Sequence, residues 1–390
     1  MIATASKGHA DTVIFGGAAE DSLHPPSSLA SLQATIQSIP DNWMIEHSSF
    51  SLNGLCIVSA LQTRKVRIIS DGSYQPELDT TLATASWIME AEDGTGAYLG
   101  STLAPDHEHS TTDSCRAELS GLLAGLLALL TVCIFHNVQE GRVEIGCDGD
   151  SAVNVSCYDR DTHPMNGPNV DLRKAIARVK LRLKQEHGIT LEWIYVDGHR
   201  DRLISWDHLT RPEQLNCICD SEAKRFLRYA HEHSLPRHPT CPMEGWHCFL
   251  GNSKITGDPR LPLLDHIGQQ HARQFLLSRN RMSSEAFDDT DWEAVGQGLR
   301  SSTLAFRLWA AKHVSRFCGT GRMMALMGEW DTDCCPCCHL EREDTFHLPL
   351  CPHPDMVTKF DSELAQLQAK LEDLDTSPIL LTAIISYVHS

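Results

Sequence analysis

Residues 64–232 alternate between short runs of β-branched and apolar residues and longer stretches with helical periodicity. Three strand-like runs come first, followed by helix, strand, helix, strand and helix. We predict strands at 66–69, 84–89, 96–103, 142–147 and 190–196, and helices at 119–135, 171–187 and from 221 to 231. This order predicts a mixed α/β domain with a five-stranded sheet and flanking helices.

The segment 119–135, LSGLLAGLLALLTVCIF, is nearly long enough to span a membrane. It is at the short end of the range for a membrane span, and the charged residues Arg116 and Glu118 stand at its entrance. A helix that is apolar on all sides is also typical of the centre of a globular core. We therefore expect a buried helix and no membrane partner.

Four carboxylates of this domain follow or begin predicted elements. Asp71 is expected to end the first strand, Glu118 lies in the first turns of the apolar helix, and Asp148 ends the fourth strand. Asp220 is expected at the start of the last helix. Taken singly, each side chain fits a turn or a helix cap. If they converge at one edge of the sheet, their mutual repulsion requires divalent cations, which carboxylates, water and phosphate oxygens bind.

The segments around these residues resemble the four acidic motifs of type 1 ribonuclease H, in the version that retrotransposon reverse transcriptases carry. The resemblance covers roughly residues 64–230, and a loop before the fourth motif is similar to the histidine loop of these elements. The matching segments are Ser70-Asp71-Gly72-Ser73, Cys115-Arg116-Ala117-Glu118-Leu119, Cys147-Asp148-Gly149-Asp150-Ser151, Val196-Asp197-Gly198-His199-Arg200-Asp201 and Asn216-Cys217-Ile218-Cys219-Asp220.

The resemblance implies a ribonuclease H-like fold and hydrolysis of the RNA strand of RNA–DNA hybrids with two Mg²⁺ ions, or Mn²⁺ in their place. It implies that Asp71 contacts both ions, that Glu118 and Asp148 hold one ion, and that Asp220 holds the other. His199 would assist proton transfer and product departure. Two ions would activate the attacking water and stabilise the leaving oxygen.

Two departures from the family pattern leave alternatives open. Asp197 stands where the family usually has lysine, and the insertion 204–215 separates the histidine loop from Asp220. The main alternative is a catalytically weak or inactive nucleic-acid-binding protein with the same fold, derived from a retroelement. A transposase or integrase shares the sheet, but it usually relies on three acidic residues.

The net charge of −18 argues against general attraction to a polyanion. The predicted helix 171–187 is nevertheless basic, and its cations are candidates for sequence-independent contacts with nucleic-acid phosphates. A solvated amphipathic face is the alternative. These residues are Arg173, Lys174, Arg178, Lys180, Arg182 and Lys184.

Residues 334–351, CCPCCHLEREDTFHLPLC, contain two overlapping CxxC pairs followed by His347 and Cys351. Three thiolates and one imidazole suit a structural zinc ion with four protein ligands. We predict Cys335, Cys338, His347 and Cys351 as these ligands, although Cys334 with Cys337 is also a CxxC pair. The segment resembles a Cys-Pro-x-Cys, Glu-Asp, His, Cys-Pro stretch found downstream of ribonuclease H in some retroelement-like proteins.

The rest of the chain is less specific. We predict an irregular or helical remnant at 1–63, a linker rich in Pro, His and Cys at 233–259, a helical region at 260–330, a zinc-knuckle-like segment at 331–356 and a helical segment at 357–390. The 15 cysteines are too few for a disulfide scaffold of this length, and the N-terminus has no basic region followed by an apolar run. We therefore expect a cytoplasmic or nuclear protein that is not secreted.

Overall fold

The computed structural model describes residues 3–5, 13–17, 31–38, 42–63, 65–105, 112–157, 167–244, 246–251, 253–279, 282–315 and 317–389. It divides into two compact units, Met1–Ala272 and Arg273–Ser390. The strands are β1 (Ala3–Ala5), β2 (Val13–Gly17), β3 (His47–Ser48), β4 (Val66–Tyr74), β5 (Ala83–Ala91), β6 (Tyr98–Leu103), β7 (Gly141–Cys147), β8 (Ile189–Tyr195), β9 (Trp246–Leu250) and β10 (Ser253–Lys254).

The helices are α1 (Leu32–Ser38), α2 (Leu55–Thr63), α3 (Ser114–His136), α4 (Asp150–Cys157), α5 (Val170–His187), α6 (Arg211–Glu232), α7 (Arg260–Ser278), α8 (Ser284–Asp288), α9 (Trp292–Ser301), α10 (Leu304–Ser315), α11 (Gly321–Leu326), α12 (His347–Leu350), α13 (Pro354–Asp373) and α14 (Pro378–His389). The second unit is therefore mainly helical.

The main sheet of the first unit has the strand order β3-β6-β5-β4-β7-β8. β5 pairs antiparallel with β4 and β6, whereas β7 is parallel to both β4 and β8. All five predicted strands are present, and the two-residue β3 adds a sixth at the edge. This confirms the predicted fold class, a ribonuclease H-like mixed sheet with flanking helices, together with a helical C-terminal region that carries a Cys/His cluster.

The apolar helix α3 lies against β4, β5 and α5 in the core of the first unit. It is long and apolar enough to span a membrane, but 83% of its 18-residue apolar stretch is buried inside the protein. Gly125 allows the close approach to the sheet, because a Cβ there would lie 2.8 Å from Cγ2 of Ile68. The expected buried helix is present, and its first turns bring Glu118 to the sheet.

The helix α6 packs on β4 and β5 through a separate apolar cluster. In this cluster Ile69 contacts Cys219 and Leu215, whereas its neighbour Ile68 belongs to the larger cluster that includes α3. Successive residues of β4 therefore face opposite sides of the sheet, as the pleat requires. The consequence is that β4 can carry side chains to both α3 and α6.

The segment that the sequence predicts as a linker, 233–259, contains β9 and β10. These strands belong to a second sheet of order β1-β2-β9-β10, in which β9 pairs antiparallel with β2. The linker interpretation missed them because β2 is more than 200 residues away in the chain, and short strands give a weak local signal.

A buried network of charged side chains fastens this segment to the helices of the first unit. Both Nη atoms of Arg116 donate to Asp171, at 3.0 and 2.7 Å. Nζ of Lys254 donates to Asp171 at 3.0 Å and to Glu244 at 2.7 Å. The arginine also donates to the Asn169 side chain. The network thus joins the beginnings of α3 and α5 to β10. Its member Arg116 lies two residues before Glu118 in the chain.

We expect Lys254→Met to lower the free energy of unfolding by about 3 kcal/mol, because it leaves the buried Glu244 carboxylate without its ammonium partner. Urea denaturation at pH 7 measures this loss. The double variant Lys254→Met/Glu244→Gln should recover part of it, since an unpaired buried charge costs more than a lost pair. A single variant as stable as the wild type would contradict this account of the network.

Asp171 sets one direction in the pH dependence of stability, whereas burial raises the pKa of Glu244 in the same network and acts in the opposite direction. Although burial opposes ionisation of Asp171, Arg116 and Lys254 outweigh it and hold its folded pKa well below the usual range. Asp171 therefore contributes stability at pH values above its unfolded pKa, near 3.8, and this stability is lost as the pH falls toward the folded pKa.

Candidate active site and metal centre

The four predicted carboxylates come from strand β4, the bend directly after β7, and helices α3 and α6 of the first unit, and two of them are not where the sequence predicts. Asp71 lies inside β4 instead of at its end, because β4 pairs with β5 along its whole length to Tyr74. Asp220 lies in the middle of α6 instead of at its start. This helix begins at Arg211, ten residues before the predicted start at 221, and Thr210 and Glu213 form a capping box there. Part of the predicted insertion is therefore helix.

Glycines make room for the carboxylates. A Cβ at Gly149 would overlap the Glu118 carboxylate, and a Cβ at Gly198 would overlap the carboxylate of Asp148. Both glycines directly follow a motif residue in the chain, Asp148 and Asp197. The side chains of Glu118 and Asp148 therefore lie directly against the backbone of these two glycines, where any residue with a Cβ would clash with them.

Asp71 is repelled by each of the other three carboxylates, and its pKa reflects this. Burial and the charges of Asp148, Asp220 and Glu118 raise the pKa of Asp71 to about 9. Burial, followed by the charges of Asp148 and Asp113, raises the pKa of Glu118 to about 7. Burial also raises the pKa of Asp148, although His199 opposes this. The site therefore favours a bound cation over ionised carboxylates alone.

The donor set fits a hard divalent cation. Oδ2 of Asp71 is buried and has no hydrogen-bond partner among the described residues, which leaves an acceptor for an ion to satisfy. In the described part of the chain, a closed group of three or more ligand atoms within 4.8 Å is found at the cysteine cluster and not at the carboxylates. This wider spacing is compatible with an open metal site, in which water and substrate phosphate oxygens complete the coordination of the ion.

His199 lies in an exposed turn beside Asp220. Its backbone has a φ of 53°, and its Nδ1 is 3.7 Å from Oδ2 of Asp220. The side chain is 46% exposed, so it can reach solvent and does not pack in a core. Asp197, the departure from the family's lysine, is exposed in the same loop and lies 4.0 Å from Nη1 of Arg200.

Lys224 is a residue of this site that the sequence interpretation missed. Its Nζ lies 2.6 Å from Oδ1 and 2.7 Å from Oδ2 of Asp220, one turn earlier in α6. The spacing of four residues is the signal for such a pair. The sequence predicts a helix start at Asp220, and the pair becomes evident only because α6 extends on both sides of this residue.

The six predicted nucleic-acid contacts lie on α5, but the structure does not present them alike. Lys180 is buried, donates to the backbone carbonyl of Ser156 and lies 5.2 Å from the Trp193 ring centroid. Arg182 pairs with Glu186. Lys184 is exposed, and the remaining three, Arg173, Lys174 and Arg178, are half-buried. Lys180 is therefore turned inward, contrary to a uniform basic face, because α5 packs this side against the rest of the unit.

The cysteine cluster in the second unit brings together the four predicted ligands. The ligand atoms of Cys335, Cys338, His347 and Cys351 all lie within 4.8 Å of one another. The Cys335 and Cys351 sulfurs are 3.8 Å apart, and Cys338 Sγ lies 3.4 Å from Nε2 of His347. Three sulfurs and one nitrogen at this spacing fit a tetrahedral ion such as zinc.

The structure also distinguishes between the two overlapping CxxC pairs as metal ligands. Cys334 and Cys337 are exposed and do not belong to the group, whereas Cys335 is buried. Burial opposes ionisation of the Cys335 thiol, but backbone N–H groups of Cys338 and Cys337 outweigh it and lower its pKa to about 6. A thiolate is the form that binds metal.

The acidic residues between the ligands support the cluster. Glu341 lies 3.2 Å from Nδ1 of His347, an arrangement that orients the ring so that Nε2 faces the sulfurs. Asp344 accepts hydrogen bonds from the backbone N–H groups of His347 and Phe346, and Glu343 accepts one from Gly321 at the start of α11. The Glu-Asp pair of the motif thus accepts hydrogen bonds from backbone N–H groups at the starts of two helices, and it lies outside the group of metal-ligand atoms.

Comparison with solved structures finds ribonuclease H domains. The N-terminal ribonuclease H domain of a Mycobacterium tuberculosis protein, solved as a fusion with maltose binding protein, is 20% identical, with a TM-score of 0.28 over 44% of this chain and 99% of that one. The ribonuclease H1 of the halophilic archaeon Halobacterium salinarum is 15% identical, with a TM-score of 0.27 over 41% and 98%. LC11 ribonuclease H1, solved in complex with an RNA/DNA hybrid, is also 15% identical, with a TM-score of 0.29 over 42% and 98%.

No protein-family model matches the sequence, and no curated protein matches it. The fold assignment therefore rests on the strand order and pairing of the main sheet and not on these distant likenesses. The first unit has a ribonuclease H-like fold.

Proposed function

We propose that the first unit is a Mg²⁺-dependent endonuclease that hydrolyses the RNA strand of RNA–DNA hybrids. The observation that carries the proposal is the electrostatic coupling of four carboxylates around Asp71, whose buried Oδ2 has no partner among the described residues. A mere binding protein gains nothing from a buried, mutually repelling acidic group, which costs stability unless cations neutralise it.

In this proposal Asp71 would contact both ions, Glu118 and Asp148 would hold one of them, and Asp220 would hold the other. The ions would supply a more acidic nucleophilic water and stabilisation of the leaving oxygen. The backbone at Gly149 and Gly198 holds the Glu118 and Asp148 side chains in place. His199, which is exposed beside Asp220, would assist proton transfer and product departure.

The chain's own charges set how a polyanion can approach. Because the net charge is −18, contacts with phosphates must be local. Exposed and half-buried cations of α5, above all the exposed Lys184, are candidates for such contacts, whereas the inward Lys180 is a poor one. We further propose that the cysteine cluster holds one structural zinc ion, and that the chain derives from a retroelement and is intracellular.

The decisive experiment incubates the protein with labelled RNA–DNA hybrid, duplex RNA and duplex DNA, each with Mg²⁺ and with EDTA. We expect cleavage of the RNA strand in the hybrid alone, and only with Mg²⁺, leaving a 3′-hydroxyl and a 5′-phosphate. Equal cleavage of all three duplexes, or cleavage in EDTA, would falsify the proposal.

A second candidate is a hybrid-binding protein with weak or no catalysis. The pairing of Asp220 with Lys224 favours it, because the ammonium group lies against Asp220 where a metal ion would bind. Asp197 in the histidine loop also favours it, since a positive charge beside the site is missing. Hybrid binding in a mobility-shift assay without cleavage, at saturating Mg²⁺ and Mn²⁺, would identify this alternative.

A further inference from the structure

Lys224 distinguishes Asp220 from the other three carboxylates. Its Nζ contacts both oxygens of Asp220, at 2.6 and 2.7 Å. Asp71, by contrast, has a buried oxygen without a partner among the described residues. One cation built into the chain is therefore held at one end of the acidic group.

This ion pair has a direct consequence for metal binding. A divalent cation that uses the oxygens of Asp220 must displace the ammonium group or share the carboxylate with it. In either case the positive charge at about 3 Å raises the free energy of the bound ion. Lys224 is 33% exposed and its side chain is flexible, so Nζ can turn toward solvent when an ion arrives.

We propose that Lys224 is an internal competitor of the divalent cation at Asp220, and that it sets the metal concentration at which this position fills. The inference rests on the proposed function in one respect, namely that the carboxylates bind metal. Lys224 contacts neither the substrate nor the reacting atoms in this account. It acts through Asp220.

The test is calorimetric titration of the full-length, zinc-loaded protein with Ca²⁺ and with Mg²⁺, in the absence of nucleic acid. We expect Lys224→Met to bind the weaker-bound ion roughly two- to fivefold more tightly than the wild type. The Mg²⁺ concentration for half-maximal hybrid cleavage should fall by a similar factor. Lys224→Gln provides a second variant if the methionine variant does not fold, and Lys224→Arg should stay close to the wild type.

Arg225→Gln is the matched control. It also removes one positive charge from α6, but Arg225 is exposed and pairs with Glu222, not with Asp220. Its metal affinity should equal that of the wild type. Equal tightening in both variants, or unchanged or weaker affinity in Lys224→Met, would overturn the inference while leaving the nuclease proposal intact. If neither the wild type nor any variant binds metal in a way that Asp71→Asn abolishes, both proposals fail together.

Discussion

Asp71→Asn is expected to reduce hybrid cleavage by about a thousandfold or more, and at the same time to make the metal-free protein more stable. The loss of activity follows because the variant removes the charge at the centre of the acidic group without changing the shape of the side chain. Cleavage of labelled hybrid at saturating Mg²⁺ measures it. Asp148→Asn should behave in the same direction.

The gain in stability follows from the pKa of Asp71. Burial and neighbouring charges raise its folded pKa to about 9, from a usual value of 3.8. For an acid with a raised folded pKa, stability is lost as the pH rises between these two values, since the unfolded chain releases its proton first. Removing the titratable group should therefore add on the order of 1–3 kcal/mol to the free energy of unfolding at pH 8 in EDTA.

Asp150→Asn is the matched control, because Asp150 lies in the same motif as Asp148 but is exposed. Its cleavage and stability should remain near those of the wild type. Full cleavage by Asp71→Asn would remove this carboxylate from the mechanism. A decrease in metal-free stability at pH 8 would show that the acidic group is not under the strain that its burial implies.

Cys335→Ser is expected to abolish zinc binding and to destabilise the second unit. The wild type should hold about one zinc ion per chain after dialysis, and the variant none, because all four protein ligands are needed to close a structural site. Metal analysis of the purified proteins measures the content. The helical signal of the variant should melt at a lower temperature, since zinc binding by a structural site contributes directly to folding.

Cys337→Ser provides the comparison for this prediction. Cys337 is an exposed thiol two residues away in the chain, and it lies outside the group of ligand atoms. It should retain the zinc of the wild type. If Cys337→Ser loses the ion and Cys335→Ser keeps it, the other CxxC pair is the binding one. Absence of zinc from the wild type would end the structural-zinc proposal.

The order of elements in the first unit was predictable because strands and helices impose different hydrophobic periods on the sequence. The segment 171–187 shows this well, since it differs from α5 by one residue at its beginning. The position of Asp220 was harder to predict. The capping box at Thr210 and Glu213 lies in a stretch without strong periodicity. The sequence therefore predicts the start of α6 at 221, whereas the helix begins at Arg211.

The fold class and the residue types of the cysteine cluster follow from the amino-acid sequence, which also predicts four carboxylates for one site, because each depends on local pattern and on motifs with fixed spacing. The folded structure was needed to show that β9 joins β2, that Lys180 turns inward, and that Cys335 belongs to the cluster whereas Cys337 does not. It also decided that Arg116, Asp171, Lys254 and Glu244 share one buried network. These outcomes depend on contacts between residues far apart in the chain, and on which side chains lose their water, which no local period records.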